Sequence, residues 1–222
     1  MNVSMVYLIS YVVAITATLF LSVFFLHEYY IKRLRASIAW GTGLLLFSIT
    51  QITDLYVAEF GEIVIGKPGL MTALIVHIFG MVLLYYGTSL LFSDPGSFFR
   101  EKISVLIMVV YIVCFGFIVK VLPVEGFREA ILAPMQLGLM TPIFLVIAVS
   151  FFRVSVKMER FDPKRLTLLL VSAGWFLVVI DSVYRGLFLG SSGISDALSN
   201  ILRAFGWVFI LYGMTVGKAT KP

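Results

Sequence analysis

Apolar residues occur in seven long runs along the chain, and short polar stretches separate these runs. Each run is about long enough to cross a hydrocarbon core of roughly 30 Å as a helix. Proline, glycine and charged residues concentrate in the short stretches, where they favour turns. The pattern predicts membrane-spanning helices at Val3–Leu26, Ala36–Ala58, Leu70–Phe92, Ile103–Val119, Ile131–Phe152, Leu166–Leu189 and Ile194–Val216. No polar stretch is long enough for a separate domain, so we predict one all-α membrane domain over residues 1–222.

The composition excludes a soluble protein. Hydrophobic residues make up 60% of the chain and charged residues 13%, and the mean hydropathy is +1.04. The net charge of +5 does not predict a nucleic-acid partner, because the basic residues lie mainly between the apolar runs. The partner that we predict from this composition is membrane lipid. One cysteine and two histidines are too few for an internal disulfide or a Cys/His zinc cluster, so no metal site is predicted.

Charged residues are distributed unequally between the two ends of the predicted helices. One end has the basic residues Lys32, Arg33, Arg35, Arg100, Lys102, Arg153, Lys157, Arg160, Lys164, Arg165, Lys218 and Lys221. The other end has Lys67, Lys120 and Arg128 together with Glu59, Glu62, Glu125 and Glu129. Because basic loops stay in the cytoplasm, we expect the N-terminus outside and the C-terminus in the cytoplasm. Five aromatic residues near the ends of the first two helices are interpreted as part of an aromatic belt: Tyr7, Tyr11, Tyr29, Tyr30 and Trp40.

Two segments of the chain are similar to each other. Ile75–Gly87 reads IVHIFGMVLLYYG and Ile201–Gly213 reads ILRAFGWVFILYG, 126 positions later. Each contains two glycines seven residues apart, on one helical face that lets another helix approach closely. At a shift of 127, further matches pair Phe24–Phe25 with Phe151–Phe152, Arg33 with Arg160 and Asp54 with Asp181. We therefore predict two parallel three-helix repeats, helices 1–3 (about 3–92) and 5–7 (about 131–216), joined by helix 4 (about 103–119).

This order of three, one and three helices resembles two groups of membrane proteins, the microbial opsins and the SWEET-type sugar transporters. Opsins attach retinal through a lysine in helix 7, but Ile194–Val216 has none, and the guanidinium of Arg203 does not form a Schiff base. SWEET-type transporters have Pro-Gln pairs in repeated helices, whereas here Pro134 and Pro142 flank Gln136 in helix 5 alone. The resemblance is one of topology, and no cofactor is predicted.

Several polar residues interrupt the apolar runs. An ionisable group within the membrane costs several kcal/mol unless it is paired or hydrated. We therefore expect these residues to form one polar network, or a cavity that opens outward between the two repeats. The ionisable members are Asp54, His77, Asp181, Arg185 and Arg203, and Asp196 and Asn200 share one face of helix 7 with Arg203.

The same residues also have structural interpretations. Asp181 and Arg185 are one helical turn apart and can form an ion pair that only stabilises helix 6. Arg203 then requires a partner from another helix, and Asp181 and Asp54 are the candidates. The intrinsic pKa of a histidine is near neutral and suits proton-coupled function, but a neutral His77 hydrogen-bonded to a neighbouring helix is the favoured interpretation.

Two classes of function are consistent with these residues. The first is a transporter or channel for a small polar solute or ion, and the second is a receptor-like sensor that signals to a separate partner. Enzyme activity is not predicted, because His27–Glu28 lacks the second histidine of a zinc-protease motif and no serine lies in a nucleophile turn. Gly213 and Gly217 are four residues apart and suit packing either within the bundle or between chains, which leaves a homo-oligomer open.

Overall fold

The computed structural model describes residues 3–121, 130–131, 133–188 and 193–219, without the side chains at 3–4, 62, 119, 163, 193–196 and 216–219. Within these ranges the chain forms seven α-helices and one π-helical segment, and no strand. The elements are α1 (Val3–Lys32), α2 (Arg35–Phe60), α3 (Glu62–Phe92), α4 (Lys102–Val121), the π-helical segment (Pro134–Met140), α5 (Thr141–Lys157), α6 (Pro163–Leu187) and α7 (Gly193–Ala219).

The helices have the length and composition of an integral membrane protein. In the described part of the chain, six of them are long and apolar enough to cross a membrane. The remaining helix, α4, has a shorter apolar stretch over Lys102–Ile118. The prediction of an all-α, multi-pass membrane protein is confirmed. Seven membrane-spanning helices were predicted, and six of the described helices are long and apolar enough to span a membrane.

Helix α1 continues beyond the end of its apolar run. The prediction ended at Leu26, but the helix extends to Lys32 and ends where Arg33 adopts a positive φ of 55°. In this last part Glu28 and Lys32 form an ion pair one turn apart, with 2.9 Å between Oε2 and Nζ. Helix length therefore exceeds the length of the apolar run, because charged residues continue the helix outside the hydrocarbon core.

Helix α3 has its break where the glycines and proline predicted one. The helical segment starts at Glu62, and Gly66 interrupts it with φ 69° and ψ 169°. Gly66 tolerates this positive φ because it has no Cβ atom. Pro68 follows, in the first turn after the break, where its missing N–H is not needed.

The predicted helix 5 is not a uniform α-helix. Its first part, Pro134–Met140, is π-helical, and the Thr141 N–H donates to the carbonyl oxygen of Gln136, five residues earlier. The Thr141 hydroxyl donates to the same carbonyl oxygen at 2.7 Å. Pro142 has no N–H to donate to the preceding turn, which disrupts the α-helical ladder at this point.

The chain divides into two compact units, Met1–Ala17 with Ala133–Pro222 and Thr18–Leu132. In the Thr18–Leu132 unit, α2 and α3 cross at two glycines. A Cβ atom added at Gly43 would lie 3.0 Å from the carbonyl oxygen of Gly80. The later part of α1 is joined to α2 by the Ser22 hydroxyl, which donates to the carbonyl oxygen of Gly41 at 2.7 Å. Small residues and buried hydroxyls therefore hold this unit together, as in other membrane bundles.

In the other unit, α6 and α7 cross in the same way. A Cβ atom added at Gly174 would lie 2.6 Å from the carbonyl oxygen of Gly206, and one at Gly213 would lie 2.9 Å from that of Thr167. Gly213 thus packs inside the chain, against α6, whereas Gly217 lies outside the described side chains. The Ser172 hydroxyl connects α6 to α5 by donating to the carbonyl oxygen of Ala148 at 2.9 Å. The side chains of α6 and α7 beyond these glycines are consequently brought into contact.

Candidate functional site

A buried carboxylate joins α6 to α7. Asp181, whose side chain is 2% exposed, accepts a hydrogen bond at Oδ2 from Nε of Arg203 over 2.7 Å. Its other oxygen, Oδ1, accepts from Nε of Arg185 over 3.1 Å. The two alternatives for Asp181 therefore occur together, since one carboxylate pairs with an arginine on its own helix and with one on the next helix.

The glycine crossing explains this geometry. Asp181 lies seven residues, or two helical turns, after Gly174, and Arg203 lies three residues before Gly206. Because α6 and α7 run in opposite directions and touch at Gly174 and Gly206, Asp181 and Arg203 lie on the same side of the crossing, and the long Arg203 side chain spans the remaining distance along the helix axis. The close approach of the two backbones brings these two side chains within hydrogen-bond distance of each other.

Two neighbours on α7 complete the contacts. The Ser199 hydroxyl donates to Oδ1 of Asp181 and accepts from Nε of Arg185 at 2.9 Å. Nη2 of Arg185 donates to Oδ1 of Asn200. Ser199 and Asn200 are each 1% exposed. Ser199 was not predicted as a site residue, although its position four residues before Arg203 places it on the same face of α7.

Tyr11, in the first part of α1, also belongs to this cluster. Its hydroxyl accepts a hydrogen bond from Nη1 of Arg185 at 3.4 Å, and its ring centroid lies 5.8 Å from Cζ of both Arg185 and Arg203. These are cation–π distances. Tyr11 is 1% exposed, as is Trp40 in α2, so the interpretation of these two residues as part of an aromatic belt is wrong. The helical spacing of Tyr11, Ala14 and Thr18 along one buried face of α1 is the signal that indicates its position.

We call this set of residues the Asp181 centre: Tyr11, Asp181, Arg185, Ser199, Asn200 and Arg203. Two guanidinium groups share one carboxylate, so its described side chains have a net charge of +1. Removing such charges from water costs several kcal/mol for each ion, and pairing offsets only part of that cost. The centre is therefore an expensive feature of the fold, which is typical of functional positions within membranes.

A second polar group lies beside the centre on α6. Ser182, next to Asp181, donates to Oε1 of Gln136 at 2.9 Å and accepts from the hydroxyl of Thr141 at 2.9 Å. These contacts attach the π-helical segment to α6 directly behind the carboxylate. They could not be found from sequence spacing, because Gln136 and Ser182 are 46 residues apart.

Of the predicted site residues, the structure brings Asp181, Arg185, Asn200 and Arg203 together, all within one unit. The side chain of Asp196 lies outside the described residues. Asp54 and His77 belong to the Thr18–Leu132 unit, where both are partly exposed and the His77 ring lies 5.6 Å from the ring of Phe47. Their membership of one common network stays a prediction.

Comparison with known proteins gives no relative. No protein family model, no curated protein and no solved structure matches the chain. The resemblance to microbial opsins and SWEET-type transporters is therefore not supported beyond a helical membrane bundle.

Proposed function

We propose that the protein is a multi-pass membrane transporter or channel for a small polar solute or ion, which binds at the Asp181 centre. The supporting observation is the burial of two arginines and one aspartate within a bundle of apolar helices. Ionisable groups inside membrane helices face cavities or partner groups and mark substrate and ion pathways. The centre lies where α1, α6 and α7 meet, so a bound solute would contact three different helices.

A purely structural ion pair is the competing explanation. It would hold α6 against α7 and would have no ligand. The size of the centre favours a binding role, because one arginine is sufficient to neutralise Asp181 and the centre has two. Locking two helices together requires no second buried guanidinium, whose desolvation adds to the cost.

The first prediction concerns ligand binding and movement. In a thermal-shift screen of purified protein against small polar solutes and ions, at least one compound should raise the melting temperature with increasing concentration. The double variant Asp181→Asn/Arg203→Gln should stay helical but lose this shift, and in proteoliposomes its uptake of the same compound should fall to the level of empty liposomes. Circular dichroism checks the fold.

The matched control is a second ion pair at the end of α1. Glu28→Gln/Lys32→Gln removes a pair of the same i, i+4 spacing, in which Lys32 is half exposed, and should leave binding and uptake unchanged. Binding without uptake would favour the sensor alternative. A folded double variant that keeps full binding would refute the proposed site.

We further infer that the helix pairs α2–α3 and α6–α7 belong to the predicted repeats, in a corrected register. Gly80 and Gly206, at a shift of 126, each contact a glycine of the preceding helix, Gly43 and Gly174. These two glycines are 131 positions apart. At the same two shifts, Ser22 corresponds to Ala148 and Gly41 to Ser172. The hydrogen bond between Ser22 and Gly41 therefore corresponds to the one between Ser172 and Ala148, although the donor lies on the other helix of the pair. In this register Asp54 corresponds to Arg185. The sequence match had paired Asp54 with Asp181, which lies one helical turn before Arg185.

The orientation with the N-terminus outside is also a proposal, and its support is the unequal charge of the loops. The second prediction tests it with single cysteines in a Cys114→Ser background. Phe60→Cys, at the C-terminal end of α2, should react with a membrane-impermeant maleimide on intact cells. Phe161→Cys, in the basic loop between α5 and α6, should react only after permeabilisation. Phe60 and Phe161 are 62% and 94% exposed, so access to the reagent is comparable, and the reverse labelling would invert the topology.

A further inference from the structure

The hydrogen-bond acceptors of the Asp181 centre are all in use. Oδ1 of Asp181 accepts from Arg185 and Ser199, and Oδ2 accepts from Arg203. Oδ1 of Asn200 accepts from Arg185. These contacts occupy Nε of both arginines and both terminal nitrogens of Arg185, through Tyr11 and Asn200.

One buried donor of the centre is not in use. Nδ2 of Asn200 makes no hydrogen bond to any residue that the structure describes. Arg203 donates to Asp181 through Nε, so its two terminal nitrogens take no part in that bond. Arg203 is 3% and Asn200 1% exposed, and they lie three residues apart on one face of α7. A buried donor without an acceptor is costly, more so when it is charged. Among its described side chains the centre thus has an unpartnered donor and surplus positive charge, while each carboxylate and amide oxygen already accepts at least one hydrogen bond.

We propose that the solute bound at the Asp181 centre is a monovalent carboxylate, received by the terminal nitrogens of Arg203 and by Nδ2 of Asn200. This inference rests on the proposed binding function of the centre. The two terminal nitrogens of a guanidinium present parallel N–H groups that match the two oxygens of a carboxylate. One negative charge neutralises the net charge of +1, whereas a divalent anion would leave an excess and a neutral solute would leave the charge uncompensated.

The carboxylate can belong to a small solute or to an acyl chain. An apolar groove of about 270 Å³ lies between the first part of α1 and α7, lined among others by Val6, Ile9, Val13, Ile201 and Phe205. The groove is formed by the same two helices that supply Tyr11 and Arg203. The test therefore compares carboxylates with and without a tail.

The third prediction is a selectivity for carboxylate over its neutral analogue. We expect acetate to raise the melting temperature of the purified full chain, at constant ionic strength, by an amount that grows with its concentration. Acetamide, chloride and sulfate should give at most a small shift. If octanoate raises the melting temperature more than acetate does and octanol has no effect, the ligand is an acyl carboxylate. If octanoate and acetate give equal shifts in melting temperature, the ligand is a small solute. Equal effects of acetate and acetamide would overturn the inference.

Asn200→Asp places a carboxylate in the centre itself. This isosteric change keeps the acceptor for Arg185 and neutralises the net charge, so the melting temperature without anion should rise and the acetate shift should disappear. Asn200→Ala, which removes one donor, should instead weaken acetate binding by about tenfold or more. If Asn200→Asp lowers the melting temperature and keeps the acetate shift, the proposed position of the anion is wrong.

Asp196, one turn before Asn200 in sequence, supplies the decisive control. If its carboxylate already neutralises Arg203, the wild-type chain will show no acetate shift and Asp196→Asn will create one, which would overturn the inference. The failure of the inference differs from that of the proposed function. A neutral solute that binds and is lost in Asp181→Asn/Arg203→Gln would reject the carboxylate and retain the site, whereas acetate binding without uptake would retain the carboxylate and reject transport.

Discussion

Replacing Asp181 with asparagine is expected to lower the free energy of unfolding by about 3 to 5 kcal/mol, because it leaves two buried guanidinium groups without a carboxylate. The side chain keeps its size, so the loss reports charge and hydrogen bonding rather than packing. Unfolding in a mixed-micelle denaturant titration measures the effect.

A double-mutant cycle separates pairing from other effects. Asp181→Asn/Arg203→Gln has the same net charge as the wild-type centre, since Arg185 alone remains charged. We therefore expect it to be more stable than Asp181→Asn alone, with a strongly non-additive interaction. Additive losses from the two single variants would show that the 2.7 Å contact contributes little to stability.

Replacing Gly174 with alanine is expected to destabilise the protein by about 1 to 3 kcal/mol through overpacking of α6 against α7. The added Cβ atom would lie 2.6 Å from the carbonyl oxygen of Gly206 and 2.9 Å from the backbone nitrogen of Ile210. Backbone atoms cannot turn aside as a flexible side chain can, so the helices must separate. This separation should also weaken the contact of Asp181 with Arg203, and solute binding should fall with stability.

Two other glycines calibrate this result. At Gly43 the nearest backbone atom is 3.0 Å from an added Cβ, so Gly43→Ala should cost less than Gly174→Ala. At Gly116 in α4 nothing lies within 4 Å, and alanine there should be neutral or slightly stabilising through its higher helix propensity. A loss at Gly116 as large as that at Gly174 would show that helix propensity, not helix contact, determines the effect.

The positions of the helices could be predicted because the signal is local. An apolar run of sufficient length forms a helix in the membrane, since no other arrangement satisfies its backbone groups there. The ends were predicted less well, since charged pairs such as Glu28 with Lys32 continue a helix beyond its apolar run. The π-helical segment was missed because its hydrogen bonds depend on Thr141 and Ser182, and Ser182 is distant in sequence.

The register that we propose between the repeats could not be predicted from matching letters alone. Apolar residues are frequent in every helix, so shifts that differ by one turn give similar numbers of matches. The proposed register instead matches the two helix crossings, so that Gly43 corresponds to Gly174 and Gly80 to Gly206. The position of a helix crossing depends on how two helices pack, and an alignment of one sequence segment with another contains no information on packing.

The amino-acid sequence was sufficient to establish the class of the protein, the number and order of its helices and the short set of polar residues that need an explanation. Those conclusions depend on hydropathy and charge, which each residue has wherever it is placed. Three further facts required the packed helices: Asp181 pairs with both Arg185 and Arg203, Tyr11 lies beside both guanidinium groups, and donors exceed acceptors around them. Such pairing depends on distances between atoms of three helices, and close packing at small residues sets those distances.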